Sequence, residues 1–256
     1  MSDDTKNAVA VVTGAAGGLG RVITRVLLED GFRVAAIDIG RGRLDEAFRD
    51  EIGSGDVLAL ECDITDEAAV ARTIARVDDT WLRLDALINN AGIEPQHSIR
   101  DADMTLWDQT FAVNVRAPMM LVKHATPIWE RQQRGTVVCI GSRTWQSGSS
   151  TASYGASKAA LVGLVRSIAS ELGPIGVNAN VVAPSFVRTP LNAIKGDHDY
   201  IDDYAARFTA ISAMRRLIEP IDVANAVAFL ASPRARNITG DVINVAAGSH
   251  MPPTIR

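Results

Sequence analysis

The sequence has few cysteines and no long apolar runs, and both shortages limit its possible functions. Only two cysteines occur in 256 residues, Cys62 and Cys139, and each lies within an apolar segment rather than in a paired spacing. This predicts reduced thiols in the core, with no disulfide and no metal site. No stretch reaches the roughly 18 apolar residues of a transmembrane helix, and residues 1–7 are too polar for a signal peptide. We therefore expect a cytoplasmic protein.

The sequence also has no excess of positive charge. The formal net charge is −4, and charges of both signs are interspersed along the chain. Nucleic acids and anionic membranes are therefore unfavourable partners. The four histidines, His97, His124, His198 and His250, do not cluster at metal-ligand spacing. The expected partner is a small-molecule substrate, and no metal is predicted.

Short β-rich runs alternate with helical stretches along the whole chain, without a linker or a repeat. Apolar residues make up 47% of the sequence, enough for a sizeable core. The alternation predicts a single α/β domain, residues 1–256, with a parallel sheet wrapped by helices. The predicted strands are Ala8–Thr13, Arg33–Asp38, Val57–Glu61, Ala86–Asn89, Gly135–Gly141, Val177–Ala183 and Asp241–Val245. The long, polar, helix-prone stretch Lys195 to Arg216 interrupts the alternation, and we interpret residues 191–216 as a mobile substrate lid.

A glycine-rich turn follows the first predicted strand. Residues 13–20 read T-G-x-x-x-G-x-G and pass directly into an apolar helical pattern. Glycines let the backbone turn sharply and approach a pyrophosphate, and the helix N-terminus offers free N–H groups. The turn therefore predicts a dinucleotide site, with Gly14, Gly18, Leu19 and Gly20 as candidate cofactor-binding residues.

Asp38 ends the second predicted strand and indicates which dinucleotide is bound. Its distance from the glycine turn is close to the spacing of about 20 residues expected for an acid that binds the ribose hydroxyls. A carboxylate there accepts hydrogen bonds from both hydroxyls and repels a 2′-phosphate. The glycine turn contains no basic residue, although Arg41 and Arg43 follow nearby. The prediction is NAD rather than NADP, with Asp38 and the adjacent Ile39 at the ribose.

Tyr154 and Lys158 lie at i and i+4 at the start of a helical run, so they share one helix face. A neighbouring ammonium favours the phenolate and is expected to lower a tyrosine pKa that begins near 10. Tyr154 is thereby predicted to act as a general acid/base near neutral pH.

These motifs occur together with Asn89-Asn90-Ala91-Gly92 after the fourth strand, Asn114 in a helix and Ser142 after the fifth strand. In this order the sequence resembles the short-chain dehydrogenase/reductase family from Ala8 to Gly248. The resemblance implies a doubly wound Rossmann-like sheet of seven parallel strands, a nicotinamide cofactor and a homotetramer. It also implies a catalytic tetrad, made of Asn114, Ser142, Tyr154 and Lys158.

The resemblance places further cofactor contacts. They are Asp63 and Ile64 at the adenine, Asn90, Ala91 and Gly92 under the adenosine ribose, and Pro184, Val187 and Thr189 at the nicotinamide. Tyr154 and Lys158 are also predicted to contact the cofactor, with Lys158 at the ribose. The segment between Ser142 and Tyr154 is one residue shorter than is usual in the family, which leaves the geometry of that loop open.

Pro118 lies four residues after Asn114 and has no N–H to donate to the Asn114 carbonyl. The free carbonyl could hold a water of a proton relay, as in the family, or Pro118 could only bend the helix.

The resulting prediction is an NAD-dependent oxidoreductase that interconverts a secondary alcohol and a ketone. Alternatives are an NADPH-linked biosynthetic ketoreductase, and a non-catalytic cofactor-sensing protein on the same fold, since fold alone does not give function. The apolar segment Ala117–Val122 supports the tetramer, although burial against the sheet could also explain it.

Polar residues at the positions expected around the substrate suggest a small polar substrate. These positions hold Glu94, Gln96, His97, Arg143, Trp145 and Gln146, with Arg207, Arg215 and Arg216 from the lid. Arg143 or a lid arginine could pair with a substrate anion. Alternatively, Arg143 forms a structural ion pair with Glu94 or another acid, or points to solvent.

Overall fold

Seven parallel strands form a single sheet in the computed structural model, which describes residues 5–149, 151–187 and 198–251. The strands are β1 (Val9–Thr13), β2 (Arg33–Asp38), β3 (Val57–Glu61), β4 (Ala86–Asn89), β5 (Gly135–Ile140), β6 (Val177–Pro184) and β7 (Val242–Val245). Their order across the sheet is β3-β2-β1-β4-β5-β6-β7, and every neighbouring pair is parallel. The doubly wound fold predicted from the sequence is confirmed, and each strand agrees with its predicted bounds to within one residue.

Helices cover both faces of this sheet. They are α1 (Gly18–Glu29), α2 (Arg41–Ala47), α3 (Arg49–Ser54), α4 (Glu67–Trp81), α5 (Met104–Phe111), α6 (Ala117–Gln132), α7 (Thr144–Ser147), α8 (Ala152–Leu172), α9 (His198–Ile211) and α10 (Pro220–Ala231). A π-helical turn, Ala112–Arg116, joins α5 to α6, and short 3₁₀ turns occur at Gly173–Ile175 and Pro233–Ala235.

The core consists of two apolar layers, one on each face of the sheet. Central strands are buried on both faces, which explains why β1 reads as an uninterrupted apolar run ending in a threonine. One layer packs under α1 and α10, and the other under α4, α6 and α8. Cys62 and Cys139 are free and buried, as predicted. Within the described ranges, no helix is both long enough and apolar enough to cross a membrane.

The strand order reverses beside β1, because the chain passes from β1 to β2 on one side and places β4 on the other. Doubly wound proteins bind ligands in the crevice at the carboxyl ends of such strands. A cleft of about 1040 Å³ lies at this point. Of the predicted lid, residues 191–197 lie outside the described ranges, and the following part forms α9.

Candidate active site

The cleft brings together nearly all the cofactor residues predicted from the sequence. The predicted residues that line it are Gly14, Gly18, Leu19, Gly20, Asp38, Ile39, Asp63, Ile64, Asn90, Ala91, Gly92, Tyr154, Lys158, Pro184 and Val187. The remaining candidate, Thr189, lies outside the described residues.

The glycine turn fits a dinucleotide pyrophosphate. Gly14 has a φ of +62°, which favours glycine, and a Cβ at Gly20 would clash with the Gly14 carbonyl oxygen. Helix α1 begins at Gly18 with no side-chain cap and no acidic residue in its first turn. No side chain of α1 therefore competes with an anion for its first N–H groups, and Gly18, Leu19 and Gly20 line the cleft.

Hydrogen bonds of Asn90 and Thr13 hold this turn in place. The Asn90 side-chain amide donates to the Thr13 carbonyl at 2.9 Å and to the Gly14 carbonyl at 3.2 Å. The Thr13 hydroxyl in turn accepts from the N–H groups of Asn90 and Ala91. Asn90 and Ala91, predicted to lie under the ribose, therefore also hold the glycine turn through their hydrogen bonds with Thr13 and Gly14.

Asp38 is buried at the end of β2 with its carboxylate held in place. One oxygen accepts from the N–H of Ala16 and the other from its neighbour Ile39, both at 3.0 Å. Arg43 lies 3.3 Å from the second oxygen, and more than half of its side chain is exposed. Sequence reasoning noted Arg43 only as a nearby base, whereas the structure places its guanidinium on the carboxylate and at the cleft wall.

Asn114 lies in the π-helical turn and is almost fully buried. Its amide oxygen accepts from the Ile93 N–H at 2.9 Å, and its amide nitrogen donates to the Ile93 carbonyl and to the Ser157 hydroxyl, both at 3.0 Å. The side chain therefore fastens the segment after Gly92 to α8 and, unlike the other predicted catalytic residues, does not line the cleft. Ser157 was not predicted, because nothing in the sequence pattern distinguishes it from other helix serines.

Ser142, Tyr154 and Lys158 meet at the centre of the cleft. Ser142 and Tyr154 line the cleft together, close enough for the Ser142 side chain to affect the pKa of Tyr154, so the shorter loop between them still brings the two residues together. The Lys158 Nζ lies 5.6 Å from the centre of the Tyr154 ring, which confirms the shared helix face. Nζ also donates to the Ile140 carbonyl at 2.8 Å.

The expectation that Lys158 lowers the pKa of Tyr154 is wrong for this structure. Burial raises the pKa of Tyr154, the charge of Glu94 raises it further, and the hydrogen bond with Ser142 opposes them only in part. Burial also lowers the pKa of Lys158 to about 8. The site therefore holds Tyr154 as a protonated phenol, ready to donate a proton.

The predicted polar lining of the substrate region is largely wrong. Of the nine residues predicted to line it, only Glu94 and Arg143 do so. His97 instead hydrogen-bonds Ser153 at 2.9 Å, and Arg207 pairs with Asp203 on the exposed side of α9. These two side chains are satisfied by partners outside the cleft, which the sequence alone does not show.

Three aromatic residues take the place of the expected polar wall. Phe186 follows β6, whereas Tyr204 and Phe208 project from α9, and all three line the cleft. Their spacing of i and i+4 on a helix was the available signal for Tyr204 and Phe208. The Arg143 guanidinium lies over the Phe208 ring, 4.7 Å from its centre, and donates to the Ser249 carbonyl at 3.1 Å.

Comparisons with known proteins agree with this geometry. A family model described as enoyl-(acyl carrier protein) reductase matches residues 14–250. A 3-oxoacyl-[acyl-carrier-protein] reductase, FabG, of Staphylococcus aureus is 33% identical over 245 residues, which cover 94% of this chain and 98% of that protein. A (+)-borneol dehydrogenase of Salvia officinalis is 34% identical over 250 residues, which cover 94% of this chain and 88% of that protein. The crystal structure of levodione reductase superposes with a TM-score of 0.89 at 27% identity, covering 96% of this chain and 98% of that one.

Proposed function

The chain belongs to the short-chain dehydrogenase/reductase family and is an oxidoreductase, and on that basis we propose that it interconverts a secondary alcohol and a ketone with NAD. The observation that carries the proposal is that Ser142, Tyr154 and Lys158 line one cleft together with the uncapped N-terminus of α1. The test is to incubate the protein with a panel of secondary alcohols and NAD, and to follow NADH formation. Absence of turnover throughout the panel, and with the matching ketones and NADH or NADPH, would contradict it.

Each reacting side chain has a definite task in this proposal. The nicotinamide, when bound, supplies or accepts the hydride. In ketone reduction Tyr154 donates its phenolic proton to the carbonyl oxygen, and Ser142 hydrogen-bonds the same oxygen. In alcohol oxidation Tyr154 takes the proton back. Lys158, whose Nζ donates to the Ile140 carbonyl at the cleft wall, would bind the ribose hydroxyls of the cofactor.

The preference for NAD rests on Asp38. Its buried carboxylate stands where an acid would accept from the ribose hydroxyls and oppose a 2′-phosphate. The charge of Arg43, 3.3 Å away, offsets this opposition in part. An NADPH-linked ketoreductase is therefore the second candidate, supported by Arg43 and by the reductase relatives. A non-catalytic sensor is disfavoured because Ser142, Tyr154 and Lys158 are all in place.

Two substitutions should shift cofactor preference in opposite directions. Asp38→Asn keeps an oxygen acceptor but removes the charge, so we expect the kcat/KM ratio of NAD to NADP to fall about tenfold. Arg43→Ala removes the offsetting charge and should raise the ratio a few-fold. Initial rates with both cofactors measure the ratio, and Asp45→Ala on the exposed side of α2 is the control. A wild-type enzyme that prefers NADPH would contradict the assignment.

We also propose a homotetramer that works in the cytoplasm. The segment 117–122 supports the tetramer less than its sequence suggested, because all its residues except Met119 are buried within the chain itself. Met119 is 46% exposed on α6 and is available to a second copy. Light scattering at micromolar concentration is expected to give about four times the chain mass of 27.3 kDa. A mass near that of one chain would rule the tetramer out.

A further inference from the structure

The wall of the cleft beside the reacting groups is aromatic. Tyr204 and Phe208 lie on one face of α9, with their ring centres 5.0 Å apart. The Phe186 ring lies 5.1 Å from Tyr204, edge to face, and 5.6 Å from Phe208. The sequence has only 6 phenylalanines and 3 tyrosines, so the meeting of three such rings at this wall does not reflect a general abundance of them. We call this set the aromatic wall.

Arg143 connects the aromatic wall to the reacting centre. It directly follows Ser142, and its guanidinium lies over the Phe208 ring, 4.7 Å from the ring centre, which is a cation–π contact. Its backbone N–H donates to the Pro184 carbonyl at 2.9 Å, in the segment that leads to Phe186. These two contacts link the ring of Phe208 and the segment before Phe186 to the residue that follows Ser142.

The same contacts argue against an anionic substrate. The guanidinium of Arg143 is already engaged by Phe208 and by the Ser249 carbonyl. The carboxylate of Glu94 also borders the cleft and would repel a second negative charge. An uncharged substrate is not repelled by Glu94 and does not require the guanidinium of Arg143 as a partner.

We propose that the substrate is an uncharged secondary alcohol or ketone with a ring at or next to the reacting carbon, and that this ring packs against the aromatic wall. The inference deepens the proposed function and rests on it. Any ring loses less rotational freedom than an open chain when it binds. An aromatic ring also gains from offset or edge contacts with aromatic side chains beyond the burial of its area.

Two pairs of probes with equal carbon number test the proposal: cyclohexanol against 3-hexanol, and 1-phenylethanol against 2-octanol. We expect kcat/KM with NAD to be at least about tenfold higher for the ring compound in each pair. Phe208→Leu should remove most of this preference by lowering kcat/KM on the ring compounds alone, and Phe208→Tyr should restore it. Phe229→Leu is the matched control, because the Arg234 guanidinium also lies over the Phe229 ring, 5.4 Å from its centre, and neither residue lines the cleft.

Equal rates within each pair, or an equal loss on both members in Phe208→Leu, would overturn the proposal and leave the rings with a packing role only. Binding of acetophenone and 2-octanone, measured by calorimetry, provides a second measurement that needs no turnover. If no alcohol reacts but acetophenone binds more tightly and loses that advantage in Phe208→Leu, the proposed reaction fails while the ring preference stands. If alcohols react and neither assay favours the ring, only the ring preference fails.

Discussion

Tyr154→Phe is expected to lower the rate of hydride transfer by about 10²–10⁴-fold while leaving cofactor binding close to that of the wild type. The substitution removes the proton donor, but it keeps the ring and the helix that carries it. None of the contacts that shape the glycine turn involves Tyr154. Pre-steady-state formation of NADH, combined with a fluorescence titration of NADH, measures the two effects separately.

The comparison must distinguish a lost proton donor from a misfolded site. Equal thermal unfolding and equal NADH affinity in the variant show that the site is intact. A variant that forms NADH at more than a few per cent of the wild-type rate would show that Tyr154 is not the acid/base. Loss of cofactor affinity together with loss of rate would instead indicate that the phenol has a structural role.

Lys158→Met is expected to reduce both cofactor affinity and turnover, each by about 10- to 100-fold. The methionine fills a similar volume but lacks the positive charge beside Tyr154 and the hydrogen bond to Ile140. Lys123→Met is the matched control, because Lys123 is exposed on α6 and pairs only with the exposed Glu67 among the contacts described. If Lys158→Met changed neither quantity, the role given to the shared helix face would be wrong.

The same variant gives a pH test that does not depend on activity. Lys158 is 4% exposed, and its folded pKa is lowered to about 8, whereas an unfolded lysine keeps its proton to about pH 10.4. Between pH 8 and pH 10 the unfolded chain therefore binds more protons, and stability must rise with pH. The wild type should gain thermal stability relative to Lys158→Met across this range and show a constant difference below it. The raised pKa of Tyr154 makes stability fall with rising pH, but only above pH 10, and both proteins contain this tyrosine.

The sequence by itself determined the sheet and the chemistry-bearing positions. Continuous apolar runs such as β1 identify strands buried on both faces, because every residue of such a strand meets a covering layer. The glycine turn and the spacing of Tyr154 and Lys158 are equally local, since they depend only on backbone conformation and on the helical repeat. That is why their geometry could be predicted and was found as expected.

Only the tertiary structure decided how those groups behave. The pKa of Tyr154 is raised by burial and by the charge of Glu94, a residue distant in sequence. Arg143 contacts Phe208 and Ser249, and Asp38 forms an ion pair with Arg43. The sequence alone does not show which of these residues pair. The aromatic wall likewise exists only once α9 folds against the loop after β6. Local patterns fix which residues are available, but desolvation and partner choice depend on contacts across the chain, and these determine the charge and lining of the cleft.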